Sequence, residues 1–111
     1  MKSIVNIALQ ALTDRSAKVG PREIRRQLDK VPLWSLEVDD GVEKIVREFR
    51  FSDYPNTMGF ANCVAEIADS EGHHPTLVVT SNTVKVYWWT ADLKGLHKND
   101  FLMAAKIDQL L

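Results

Sequence analysis

Two of the three histidines in this 111-residue chain are adjacent, at His73 and His74. An imidazole exchanges protons near neutrality, with an unperturbed pKa of about 6.5, so the pair is the first candidate for general acid and base work. Asp69 stands four residues before the pair and Pro75 directly after it; Asp100 follows the third histidine, His97, by three. The pair falls between an apolar helical run and a β-branched run. A loop there lets side chains face a cleft while the flanking elements hold them still. Taken alone, the dipeptide is more simply read as two exposed histidines after a helix end. A metal site is not expected, because adjacent side chains diverge in extended backbone and no further His or Cys stands at ligand spacing. Ser81 and Cys63 carry no mark of an activated nucleophile. Trp88 and Trp89 fall on opposite faces of a strand, one toward the core and one toward the surface or an interface.

The rest of the composition narrows what such a loop could serve. There are 14 Lys and Arg against 15 Asp and Glu, a net charge of −1 with the signs interleaved. No field of that kind gathers phosphate, so nucleic acid is not expected as a primary partner. The most apolar stretch, from Ile4 to Leu12, is broken by Asn6 and Gln10 and is far shorter than the roughly 20 residues a membrane span needs. It also makes a poor signal peptide. The single cysteine, Cys63, cannot bridge within the chain and lies in an apolar helical pattern, which reads as a small core residue in a reducing compartment, the cytoplasm by default. One domain of this length builds its core without staples.

The elements that must position the histidines can be read from periodicity. Residues 1–20 are the least regular, with loose helical spacing of Ile4, Val5, Ala8, Leu9 and Leu12 and a polar stretch from Asp14 to Gly20. Pro21 opens a first helix to about Asp29, carrying the pair Ile24 and Leu28. Trp34, Leu36 and Val38 alternate up to Asp39-Asp40-Gly41, and Lys44 to Phe51 alternates again, which together predict a hairpin. Ser52-Asp53 and Pro55 start a second helix to about Asp69, with Phe60, Ala61, Val64, Ile67 and Ala68 on its apolar face. Runs Thr76–Thr80 and Thr83–Thr90 predict a second hairpin around Ser81-Asn82, where Asn suits a positive φ. A last helix from Lys98 to Leu111 has an apolar arc, extended by Met103, Ile107, Leu110 and Leu111, wider than one monomer core needs. The reading is α+β: one domain in the order α-β-β-α-β-β-α, with a four-stranded antiparallel sheet and helices on one face.

The longer stretch Asp69-Ser-Glu-Gly-His73-His74-Pro75, with Gly95-Leu96-His-Lys-Asn-Asp100-Phe101 and Ala-Ala-Lys-Ile-Asp108, resembles the pterin-4a-carbinolamine dehydratase family. Leu33-Trp34 and Arg47-Glu48-Phe49-Arg50-Phe51-Ser52-Asp53 extend the likeness over 21–111, with 1–20 as a variable N-terminal segment. The resemblance implies an α+β fold that associates through sheet edges and helices into homodimers or homotetramers. It implies loss of water from a 4a-hydroxytetrahydropterin to give the quinonoid dihydropterin, without metal or other cofactor. It also implies His73, His74 and Asp69 as catalytic residues, and Pro75 and Asp100 as substrate-binding ones. Two family positions are changed: Ser81 stands where an aromatic is usual, and Ala91 where a third catalytic histidine is usual. His97 is expected at the N-cap of the last helix, where the family has Ser or Thr.

An acid and a base are both needed for such a dehydration, so losing one proton-transfer partner removes a factor of about 10² to 10⁴. Two readings follow. In one, the eroded pocket leaves a protein-binding or assembly factor, and the family's reuse as a dehydratase-like Rubisco assembly factor of α-carboxysome bacteria makes the Rubisco large subunit a candidate client. In the other, His73 and His74 suffice for a working dehydratase in pterin recycling.

Overall fold

The computed structural model describes residues 8–12 and 16–111. Helix α1 (Pro21–Leu28) is followed by strands β1 (Ser35–Asp39) and β2 (Val42–Arg50), helix α2 (Tyr54–Glu71), strands β3 (Thr76–Val79) and β4 (Thr83–Trp88), and helix α3 (Lys98–Asp108). The strands form one antiparallel sheet in the order β1-β2-β4-β3, which places the two hairpins side by side with β2 and β4 central. This is the α+β order expected from the sequence.

Each element has a local cause. Asp40 and Gly41 both take positive φ, 51° and 76°, so a two-residue turn of the kind that matches strand twist closes the first hairpin. Asp53 caps α2 by accepting from the Asn56 amide at 2.9 Å. Gly72 ends α2 in the left-handed conformation at φ 66°, which a residue with a Cβ adopts only with strain. The second hairpin differs from expectation: neither Ser81 nor Asn82 has positive φ, and the Thr80 amide bonds the Thr83 carbonyl at 2.9 Å around an ordinary turn.

The core lies between the helices and one sheet face, where Ile45, Phe49, Val84, Val86 and Trp88 are buried. Phe49 packs edge-on to Trp34 and at 4.5 Å from Phe60, measured between ring centres. Arg47 lies on that same face because Asp108 of α3 receives it: the guanidinium donates at 2.6 Å, and the Trp34 indole donates to the same oxygen at 2.9 Å. No helix among the described residues is long and apolar enough to cross a membrane.

Three expectations are corrected here. Cys63 is exposed, because the buried positions of α2 are Thr57, Phe60, Ala61, Val64 and Ala68, an arc that leaves residue 63 outside. Met103 and Ile107 are fully buried within one chain, so the wide apolar arc of α3 does not by itself require a second copy. The helix is enclosed by the sheet, by α1 and α2, and by the N-terminal segment. Of the expected arc only Leu110 and Leu111, beyond the last turn of α3, keep exposure. Finally, residues 8–12 belong to no helix, against the loose helical spacing of Ala8, Leu9 and Leu12; residues 16–20 are loop, as their polar sequence suggests, and Ile4, Val5 and Asp14 lie outside the described residues.

Candidate active site

Helix α2 delivers the histidine pair. Its left-handed end at Gly72 lets the His73 amide bond back to the Ala68 carbonyl at 3.1 Å, which fixes where the chain leaves the helix. Pro75 holds the preceding residue in extended backbone, so the chain passes from His73 through His74 directly into β3. The two imidazoles then fall into different environments.

His73 is half-buried and stacks on Trp88, with ring centres 5.6 Å apart and planes 8° from parallel. Its Nε2 lies 2.6 Å from Oδ1 of Asp100, a carboxylate with no exposed surface. The second oxygen of Asp100 accepts the Thr90 hydroxyl and the His97 amide, each at 2.8 Å. A buried carboxylate is tolerated only when its oxygens are so satisfied. A carboxylate only accepts, so with Asp100 ionised Nε2 of His73 is the donor in the 2.6 Å contact, and a neutral imidazole then carries its lone pair on Nδ1.

The cap of α3 supports this arrangement. Asp100 is the third residue of the helix and reaches back to the His97 amide, while His97 Nδ1 accepts the Asn99 amide at 3.1 Å, completing a capping box. His97 is the expected N-cap. Burial lowers its pKa; the nearby Asp100 opposes that shift and His73 adds to it. A neutral imidazole is what the cap requires, since protonated Nδ1 could not accept.

His74 is exposed, and its Nε2 meets Asp69 Oδ1 at 3.4 Å between two solvated side chains. Both histidines line a cleft of about 320 Å³ together with Trp89, Thr90, Ala91 and Asp92, closed on another side by Gly72 and Leu12. Trp89 carries Lys44 Nζ 4.0 Å above its ring. As expected, one tryptophan of the pair is in the core and the other at the surface.

The sequence-predicted residues are therefore split. His73, His74 and Ala91 come together at the cleft, and Asp69 meets His74 at its rim. Asp100 sits beneath His73 and not at the cleft surface, with no area to offer a ligand. Pro75 shapes the turn without lining the cleft, and Ser81 lies in the turn at the opposite end of the β3–β4 hairpin, where its carbonyl accepts from Thr57. The sequence reading missed Thr90, Asp92 and Leu12, of which Thr90 is the most telling: a buried Thr after a strand is the signal of a buried acceptor nearby. A larger cleft of about 400 Å³ between α2 and the end of α3 is lined by Phe51, Phe60, Cys63, Leu110 and Leu111 and holds no carboxylate or imidazole side chain. Among the described residues no three His, Cys, Asp or Glu side chains gather as a metal cage.

Residues 17–110 match the family described as "Pterin 4 alpha carbinolamine dehydratase". The chain belongs to the pterin-4a-carbinolamine dehydratase family. It is 47% identical over 93 residues to a protein of Saccharophagus degradans named "Putative pterin-4-alpha-carbinolamine dehydratase", a match covering 84% of this chain and 82% of that one. Its fold is similar to the crystal structure of a "transcriptional coactivator/pterin dehydratase" from Brucella melitensis, with TM-score 0.75 and 29% identity over 84% of this chain and 97% of that one. It is also similar, with TM-score 0.59 and 22% identity, to a pterin dehydratase-like protein described as a RuBisCO assembly factor in the alpha-carboxysome, covering 69% of this chain and 87% of that one. At that identity the second likeness shows the fold alone.

Proposed function

We propose that this chain binds a 4a-hydroxytetrahydropterin in the cleft at His73 and dehydrates it slowly, with a reduced set of proton-transfer groups. The observation that carries the reading is the held imidazole: His73 bonded to a fully buried Asp100, which is itself held by Thr90 and His97. A surface histidine with no task does not need a buried carboxylate behind it. In the reaction the C4a–O bond breaks, the oxygen leaves as water with a proton from an acid, and a base removes a proton from the pterin ring. His73 takes the base role through Nδ1, and Asp100 stabilises the imidazolium that forms. His74, supported by Asp69, supplies a proton to the departing oxygen. Ala91 lines the same cleft and cannot exchange a proton.

The test uses the purified chain with 4a-hydroxytetrahydropterin, the spontaneous rate subtracted. Slow turnover above that rate, abolished by Asp100→Asn, is expected; turnover unaffected by Asp100→Asn contradicts the reading. The substitution keeps the shape and removes the charge that fixes the tautomer of His73.

A second reading, a protein-docking or assembly role, is favoured by the edge strand β3, which exposes Val78 and Val79 beside an unpaired backbone edge. That edge suits a homodimer or homotetramer, or a client such as the Rubisco large subunit. Light scattering giving 12.6 kDa at micromolar concentration contradicts the oligomer. Co-expression with the large subunit raises soluble holoenzyme if the client is right, and the gain survives replacing both His73 and His74 by Ala.

A further inference from the structure

The cleft has a wall that comes from outside the region shared with the family. Residues 8–12 precede the matched span of 17–110, yet Leu12 lines the cleft opposite the loop after β4. What holds this segment is a pair of hydrogen bonds to one side chain. The Gln10 amide donates to Asn99 Oδ1, and Asn99 Nδ2 donates to the Gln10 carbonyl, both at 2.8 Å. A carboxamide presents an acceptor and a donor side by side, so one side chain serves both backbone groups of a single residue. Asn99 is 4% exposed, so losing the partner would leave two buried polar atoms unsatisfied. Leu9 packs against the core on the same side. Downstream, the Val19 amide bonds the Leu96 carbonyl at 2.8 Å, and Lys18 lies against Gly95 where a Cβ would come within 2.8 Å of it.

The segment of residues 9–12 is thus anchored through Gln10 on Asn99 in the first turn of α3, the helix whose Asp100 holds His73. A second hollow of about 210 Å³ behind it is walled by Leu9, Gln10 and Asn99 and shares Leu12, Gly72 and His73 with the first. We infer that residues 9–12 form a strap that Asn99 fixes across the cleft, and that Leu12 is a specificity-determining residue whose side chain closes on the bound pterin. Leu12 is 39% exposed and lines the cleft together with the two imidazoles and Trp89. A flat heteroaromatic ring resting against it removes that surface from water. Asn99 is a positioning residue: it touches no ligand and acts through the backbone of Gln10.

This inference rests on the reading of the cleft as a pterin site. The probe is 7,8-dihydrobiopterin, followed by quenching of tryptophan fluorescence, Trp89 being the tryptophan that lines the cleft. Leu12→Ala raises Kd by roughly fivefold, the scale of losing part of one leucine's burial, while Leu12→Met restores it. Asn99→Ala raises Kd similarly, and the double variant is no weaker than either single one, because both remove the same contact. In turnover, the change falls on KM and not on kcat. Without ligand, hydrogen exchange at the Gln10 amide speeds up in Asn99→Ala and is unchanged in Leu12→Ala. If dihydrobiopterin binds and neither substitution weakens it, or if Gln10 exchange is unaltered in Asn99→Ala, the strap is overturned and the pterin reading stands. If the unmodified chain does not bind dihydrobiopterin, the pterin reading fails and the inference with it.

Discussion

His73 and His74 are neighbours in the chain and differ in almost everything else. The first stacks on a buried tryptophan and bonds a carboxylate that has no exposed surface; the second stands in solvent, 3.4 Å from a carboxylate that is itself solvated. A hydrogen bond between exposed groups fixes little, because water competes for both and salt screens them. The same pair of residue types, with the carboxylate fully buried, holds the ring in one orientation. The difference teaches that the chemistry of this loop is set by what lies behind each imidazole and not by the dipeptide.

Substitutions can break that contrast directly. The largest effect is expected in turnover: His73→Ala lowers the rate by about 10² to 10⁴, whereas His74→Ala costs no more than about a tenth of that factor, since water reaches its position. Parallel single-turnover measurements on the two variants check this, and equal losses would show the imidazoles to be equivalent. Next comes stability. Asp100→Ala leaves the buried Thr90 hydroxyl and His97 amide without their acceptor and is expected to destabilise by about 3 to 5 kcal/mol, while Asp69→Asn stays within about 0.5 kcal/mol. Urea unfolding separates the two.

The smallest effect concerns His97, whose neutral ring caps α3. With its pKa lowered by burial, the unfolded chain binds the proton more readily than the folded one. Stability is therefore full above about pH 6.5 and declines as pH falls from there through the lower folded value. His97→Ala costs about 1 kcal/mol as a lost cap, and His97→Ser keeps the cap but flattens this part of the pH profile. Melting curves from pH 7.5 to 5 read both.

Much of this was legible in the chain because it is local. Asp53 before Pro55 and His97 three residues before Asp100 each mark a helix start by a mechanism that spans a few residues, whereas α2 runs two residues past the expected end at Asp69, to its cap at Gly72. The alternation from Lys44 to Phe51 is enough to predict the strand, and Ile45 and Phe49 lie on its buried face. Hidden from the sequence were pairings across the fold. Arg47 reads as a polar residue within an alternating strand until Asp108, 61 residues away, is brought to it. Asn99 reads as a solvated helix residue until Gln10 arrives. The burial of Met103 and Ile107 was misjudged for the same reason: whether an apolar arc needs a second copy depends on how many elements of the first already cover it.

Ala91 is the position on which the account turns, because it lines the cleft that holds His73 and His74 yet has nothing to exchange a proton with. The decisive measurement is the dehydration rate of 4a-hydroxytetrahydropterin by the unmodified chain and by Ala91→His, side by side. The account predicts slow turnover in the first and a gain of about 10² to 10⁴ in the second. Full, fast turnover by the unmodified chain, with no gain in Ala91→His, would contradict it.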